Sequence, residues 1–288
     1  MSRIVYVNGE FLAEEDAMVS IFDRGFLFAD GVYEVSSVLC GKLIDNSAHM
    51  VRLHRSLNEL EMDAPISDEE IEAIQHELVA RNGVDEGMIY LQVTRGAADR
   101  DFAYPKGATP TLVIFTQAKQ VVDIPQVETG ISVITTRDIR WRRRDIKTVG
   151  LLAPSMAKMA AKKAGADDAW MVEDGFITEG TSNNAYIVTT DGTLITRQLG
   201  SEILHGITRR AVLKLATESG IAIEERPFSV EEALAASEAF ITSATTFVMP
   251  VTSIDGHKIG GGNPGELTLR LRQLYIDMAL KEAESLCK

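Results

Sequence analysis

The feature that most constrains this chain is a hydrophobic period that switches repeatedly between two values within residues 1–118. "RIVYVNGEFL" alternates like a strand, breaks at Asn8-Gly9 and resumes. An Asn-Gly pair between alternating runs predicts a tight hairpin. "GVYEVSSVLCGKLI" repeats the form with its break at Gly41. "AHMVRLHRSLNELEM" then changes to helical spacing, with Met50, Leu53, Leu57 and Leu60 on one face. "SDEEIEAIQHELVARNG" opens on a capping box, Ser67 with Glu70, and closes at Asn82-Gly83. "GMIYLQVTRG" and "TPTLVIFTQA" return to strand composition. A period of two buries one sheet face and a period of 3.6 buries a helix stripe, so this part predicts a sheet joined by two helices.

Lys119–Gly130 is short and polar and contains Pro125. It predicts an interdomain linker between a smaller α/β domain, 1–118, and a larger one, 131–288. Beyond it, "ISVITT" and "RWRRRDIKTV" read as strands, followed by a helix through "APSMAKMAAKKAG". "AWMV", "GFITEG" and "NAYIVT" read as short strands. "HGITRRAVLKLATESG" reads as a helix ending at Gly220, and "SVEEALAAS" carries a second capping box, Ser229 with Glu232. "AFITSATTFVMPVTSID" is strand with a polar interruption, and an amphipathic helix follows Pro264. The fold class is α+β in two domains. "IGGGNPGE" lacks the G-K-[ST] ending of a phosphate loop and reads as a turn.

Charge excludes one class of partner. With 29 Lys and Arg against 42 Asp and Glu, the net charge is −13. Duplex binding relies on clustered cations, so no nucleic acid partner is expected, and "RWRRR" reads as a charged strand face. The two cysteines, Cys40 and Cys287, form no C-x-x-C pair, so neither a metal motif nor a disulfide framework is expected. No apolar run approaches the roughly 18 residues of a membrane span, and the N-terminus has no signal-like apolar region. A cytoplasmic soluble protein with no membrane partner is the expectation.

The candidate chemistry lies between Arg142 and Val188. On a strand, period two would put Trp141, Arg143, Asp145 and Lys147 on one face. A lysine amine in neutral form attacks an aldehyde and so carries a cofactor as a Schiff base. Glu179 sits among Gly180, Thr181, Ser182 and Asn183. An acid set against a pyridine nitrogen keeps that nitrogen protonated, so the ring accepts electrons. Gly206, Ile207 and Thr208 stand at a predicted helix start, which suits phosphate. Ser243, Ala244 and Thr245 interrupt an apolar strand. Arg52 offers a guanidinium for bidentate phosphate pairing. Singly, these are surface charge, a turn glutamate, a helix cap, a strand defect and a surface arginine.

Together they resemble a known family. "FDRGFLFADGVYEV", "HMVRL", "DIKTVGLL", "TEGTSNNAYIV", "LHGITRR" and "FITSATTFVMPV" fall in the order of the fold-type IV pyridoxal-phosphate aminotransferases across nearly the whole chain. That family includes D-amino acid transaminases, branched-chain aminotransferases, amine transaminases and aminodeoxychorismate lyases. The resemblance implies pyridoxal 5′-phosphate held by Lys147, with Glu179 on the pyridine nitrogen. Arg52, Ile207, Thr208, Ser243, Ala244 and Thr245 would form the phosphate cup, with Leu204 on the ring face. It implies amino acid and 2-oxo acid substrates, a homodimer and no metal. Ala244 departs from the threonine often found there.

Within the family, "VTRGAADRDFAYP" is similar to the D-amino acid transaminase segment whose Arg-x-His pair binds the substrate carboxylate. Arg100 matches the arginine, Phe102 replaces the histidine, and Tyr33 matches a tyrosine on the substrate side. The D-enzyme is therefore the expected member, with 2-oxoglutarate as a representative acceptor. A branched-chain L-aminotransferase is the alternative, followed by an amine transaminase or the lyase. A non-catalytic binding protein on the same fold is the reading from another class, since fold does not fix function. Having both Lys147 and Glu179 argues against it.

Overall fold

The computed structural model describes residues 2–285. The chain forms two compact units. The first contains β1 (Ile4–Val7), β2 (Glu10–Ala13), α1 (Arg24–Phe28), β3 (Gly31–Leu39), β4 (Lys42–Ile44), α2 (Asn46–Glu59), α3 (Asp68–Arg81), β5 (Gly87–Thr94) and β6 (Thr111–Ala118). Its antiparallel sheet runs β2-β1-β6-β5-β3-β4. The β1–β2 turn has positive φ at both Asn8 and Gly9, 47° and 105°, a backbone that Asn and Gly adopt with least strain. Leu53 and Leu57 of α2 and Ile71 and Leu78 of α3 pack with Ile89, Leu91, Val93 and Ile114 of the sheet. The Ser67–Glu70 capping box forms as expected.

The second unit holds α4 (Gln126–Thr129), β7 (Ile131–Arg137), α5 (Leu152–Lys163), β8 (Asp168–Glu173), β9 (Phe176–Gly180), β10 (Asn184–Val188), β11 (Leu194–Thr196), α6 (Ile207–Glu218), β12 (Ile223–Glu225), α7 (Val230–Leu234), β13 (Glu238–Ser243), β14 (Phe247–Ile254), β15 (His257–Lys258) and most of α8 (Glu266–Ser285). The strand order is β12-β11-β10-β13-β14-β7-β8-β9, with β15 against β14. Its core includes Val133, Trp170, Ile177, Ile187, Phe228, Ile241 and Val251. β7 and β8 are parallel neighbours, so the chain between them must cross over. That crossover contains Arg140–Gly150 and α5.

Three expectations change. First, although the units divide after Gln120, inside 119–130, the larger unit does not contain the lysine: Ile146–Gly150 and the chain from Ala279 cluster with the first unit. The reason is backbone pairing. Tyr33 N–H donates to the Lys147 carbonyl at 3.0 Å, Val149 N–H donates to the Gly31 carbonyl at 3.1 Å, and Thr148 bridges to Val32. The linker also contributes structure, since Val121 is fully buried and α4 lies within it.

Second, "RWRRRDIKTV" is not a strand, and Trp141, Arg143, Asp145 and Lys147 do not share a face. Trp141 is exposed while Asp145 is buried. Short-range side-chain bonds replace ladder bonds there: Arg140 donates from backbone and side chain to Asp138, and Arg143 to Asp145 at 3.1 Å. Third, the polar interruption after Ser243 is a hairpin turn between β13 and β14. Cys40 is a free, exposed thiol, and Cys287 lies outside the described residues.

Candidate active site

The first unit contributes an ordered set around Lys147. Its amide donates to Ser56 Oγ at 3.3 Å, and its Nζ lies 4.1 Å from the centre of the Tyr33 ring. Tyr33 in turn stacks on Tyr90, 5.5 Å between centroids. The lysine is half-buried, so its amine is positioned without being sealed off.

Arg52 lies in α2 and is buried. Its fork is already used: Nε donates to Glu34 Oε1 at 2.8 Å and Nη2 to Glu34 Oε2 at 2.7 Å. His49 Nδ1 also lies 2.7 Å from Glu34 Oε2, the geometry of an Nδ1–H donor to a carboxylate. Burial alone would raise the Glu34 carboxyl, but Arg52 and His49 hold it at about 2. Burial lowers the His49 imidazole against the pull of Glu34. The bidentate pairing expected of Arg52 with phosphate is therefore made with Glu34 instead.

Arg100 and Phe102 occupy the loop after β5, and both are exposed. The Arg100 guanidinium sits 5.6 Å from the Phe102 ring and 5.3 Å from Phe28, whose ring meets Phe102 edge-on at 5.6 Å. Where a histidine would offer a donor, this chain offers an aromatic face to the arginine. Arg24 secures the same loop. It is buried against Asp30 and donates to the Asp101 carbonyl at 2.6 Å.

The second unit gathers its charges around Glu179, which is buried on β9, within the expected "GFITEG" strand, and so is not a plain turn glutamate. The carboxylate accepts from Arg140 Nη1, from Asn184 Nδ2 at 2.9 Å and from the Leu204 amide at 3.1 Å. Burial pushes this carboxyl upward, and the adjacent Arg140 opposes that. Burial works against the Arg140 charge, but Glu179 and Asp138 more than restore it. Asp138, itself held low despite burial by Arg140, also accepts from Thr178 Oγ1 at 2.7 Å. Arg144 turns inward as well, onto Glu173 at 2.7 Å. The basic run is therefore neither a charged strand face nor an open cationic patch at these two residues.

Asn184 connects the parts of this cluster. Its Nδ2 reaches both Glu179 and the Leu204 carbonyl, the latter at 3.0 Å, and its backbone pairs with Thr242 of β13. Its Oδ1 lies against Gly206, the N-cap of α6, where an added Cβ would stand only 2.1 Å away. A side chain there would force the Asn184 amide to shift and disturb its bonds to Glu179 and Leu204. The expected Ile207 and Thr208 are the first residues of α6, both buried. The leading amides of a helix lack intrahelical partners and favour an anion. Ser243 ends β13, and its hydroxyl pairs with Thr246 Oγ1 at 2.7 Å across the turn that contains Ala244 and Thr245. Thr246 thus supplies a second hydroxyl in the turn where Ala244 has none.

Arg140 and Asn184 are not among the residues that sequence reasoning selects. Arg140 is hidden in a run that reads as strand, and an asparagine in "TSNNAY" carries no spacing signal. Among the described residues no group of His, Cys, Asp and Glu is arranged to hold a metal ion.

In the second unit, then, a buried carboxylate accepts from an arginine and two amide N–H groups, and the same unit holds a helix start and a hydroxyl-bearing turn. This chain belongs to the amino-transferase class IV family, whose model matches residues 31–254. It is an aminotransferase. It is 41% identical over 278 residues to the D-alanine aminotransferase of Bacillus licheniformis, covering 96% of this chain and 98% of that one. Among solved structures it resembles the Escherichia coli branched-chain amino acid aminotransferase, with a TM-score of 0.90, 25% identity and coverage of 97% and 95%. The T.th. branched-chain amino acid aminotransferase with pyridoxamine 5′-phosphate matches with a TM-score of 0.88 at 26% identity, covering 96% of this chain and 94% of that one.

Proposed function

We propose that this chain is a pyridoxal 5′-phosphate-dependent transaminase that moves the amino group of a D-amino acid, of the D-alanine kind, to a 2-oxo acid such as 2-oxoglutarate. The observation that carries this reading is the 41% identity to a D-alanine aminotransferase along nearly the full length of both chains. The branched-chain alternative rests on solved neighbours at 25–26% identity, which is weaker support for a shared substrate.

The residues fit the cofactor. When bound, it supplies an electron sink for the bond broken at the substrate's α-carbon. In this reading Lys147 would hold it covalently and, with its amine released by the substrate's amino group, would take the α-proton on Nζ as general base and then give it up on the cofactor side as general acid. Glu179, kept in place by Arg140, Asn184 and the Leu204 amide, would meet the ring nitrogen and keep it protonated. Leu204 would pack on the ring face. The α6 start at Ile207 and Thr208 and the turn Ser243–Thr245 bind the phosphate, with Arg52 adding positive charge while it stays paired to Glu34. Arg52→Ala should raise the cofactor dissociation constant a few-fold, about 1 kcal/mol, through lost positive charge rather than a lost direct contact, since the guanidinium is paired to Glu34. Dialysis of the variant beside the parent checks this, and equal retention would remove Arg52 from the cup.

Substrate handedness is assigned to the Arg100 loop. Arg100 binds the α-carboxylate with Tyr33 on the substrate side, and Phe102 makes that trap more apolar than an Arg-x-His pair. D-alanine should react, and Arg100→Ala should raise its KM about tenfold with little change in kcat, since the lost contact is a charge-assisted one. A rate on L-leucine or L-isoleucine far above that on every D-amino acid would overturn the reading.

The working form is proposed to be a homodimer. Met18, Ile21, Phe22 and Phe26, close together in sequence, are all more than half exposed, and clustered exposed apolar residues mark association surfaces. A cytoplasmic setting is proposed on cysteine usage, with Cys40 free and exposed, unlike the paired cysteines of secreted domains. Among the described residues no helix is long and apolar enough to cross a membrane.

A further inference from the structure

We infer that Arg272 is a positioning residue that sets the shape of the phosphate-binding turn between β13 and β14. This rests on the proposal that Ser243–Thr245 binds the cofactor phosphate. Arg272 lies on α8, far along the chain from that turn, and is 4% exposed. Its partners are backbone carbonyls. Nη1 donates to Thr246 O at 2.7 Å and to Val248 O at 2.8 Å. Nη2 donates to Val121 O at 3.0 Å and Val122 O at 2.7 Å, at the start of the second unit.

The turn needs such a clamp. Phe247, the residue after Thr246, has a φ of 56°, a left-handed backbone that is costly for a bulky side chain. It persists only if its surroundings over-determine it. Arg272 holds the carbonyl on either side of Phe247. The Phe247 ring is fully buried and meets Tyr275, one turn further along α8, at 5.0 Å. The carbonyls at Thr246 and Val248 thus point toward the guanidinium. A phosphate needs the opposite polarity, with amides and hydroxyls facing it. A cation that draws the carbonyls to one side of the turn leaves its donors to the other. Only a planar guanidinium presents enough fixed donors for four carbonyls; an ammonium does not.

The test compares two ligands that differ only in phosphate. Apo full-length parent and Arg272→Lys are titrated with pyridoxal 5′-phosphate and with pyridoxal, following absorbance. Affinity for the phosphorylated form should fall about tenfold, while affinity for pyridoxal stays within about twofold. An equal loss for both ligands, the mark of a general structural role, would overturn the inference, as would no loss for either. Ser243→Ala and Thr245→Val separate the two readings. If they shift the ratio and Arg272→Lys does not, the inference about Arg272 fails alone. If none shifts it, the turn is not the phosphate site and the inference falls with it. Should Arg272→Lys not fold, the parent chain decides. Binding pyridoxal 5′-phosphate should slow amide exchange at 121–124 together with 243–248, and slowing confined to 243–248 would overturn the inference.

Discussion

Lys147→Ala is expected to lower kcat by at least about 10³-fold, about 4 kcal/mol of barrier, because the lysine is proposed to act as both anchor and proton carrier. Borohydride reduction followed by intact mass measurement should find no cofactor mass attached to the variant. The loss should not come from unfolding. What holds this segment is backbone: the Lys147 amide on Ser56, its carbonyl on Tyr33 N–H, and the Val149–Gly31 pair, none of which needs the side chain. The side chain's own contact, Nζ over the Tyr33 ring, contributes about 0.5–1 kcal/mol at a half-exposed site. The melting temperature should move by only a few degrees. A variant that keeps the parental single-turnover rate would end the assignment of Lys147.

Glu179→Gln is expected to slow single-turnover proton transfer about 10²-fold, about 2.7 kcal/mol, with cofactor affinity nearly unchanged. An amide cannot keep a pyridine nitrogen protonated, so the ring withdraws electrons less well. The site also resists the change. Arg140, Asn184 and the Leu204 amide all donate to this side chain, and a glutamine places an NH2 group among them. At least one buried donor then loses its acceptor, at about 1–3 kcal/mol of stability. Slower turnover should therefore come with a lower melting temperature. Unchanged single-turnover kinetics would take Glu179 off the ring nitrogen.

The backbone around Lys147 and the backbone around Glu179 are not equally legible. Ordered motifs single out Lys147 and Glu179; the strand read in "GFITEG" forms with Glu179 on it, whereas the strand read for Lys147 does not. Arg140 and Arg143 fold back onto Asp138 and Asp145, which breaks the ladder, while Arg140 and Asn184 make it tolerable to bury Glu179 on β9. Arg52 is legible as a cation but not as the partner of Glu34 and His49, since Glu34 comes from β3 and the other two from α2.

Local patterns are enough to determine what short-range physics controls. The hairpins at Asn8-Gly9 and Gly41, the amphipathic helix from Asn46 to Glu59 and the capping boxes at Ser67 and Ser229 all form where the sequence places them. Motif order is enough to identify the family, because six blocks spread over the chain are a property of the sequence itself. Tertiary structure alone decides which unit holds the lysine, which arginine steadies Glu179, why Gly206 has no side chain and what Arg272 clamps. Each of these is a contact between residues far apart in sequence. Backbone pairing to β3 draws Lys147 into the first unit, and buried charge finds whatever donors the packed elements bring within hydrogen-bonding distance.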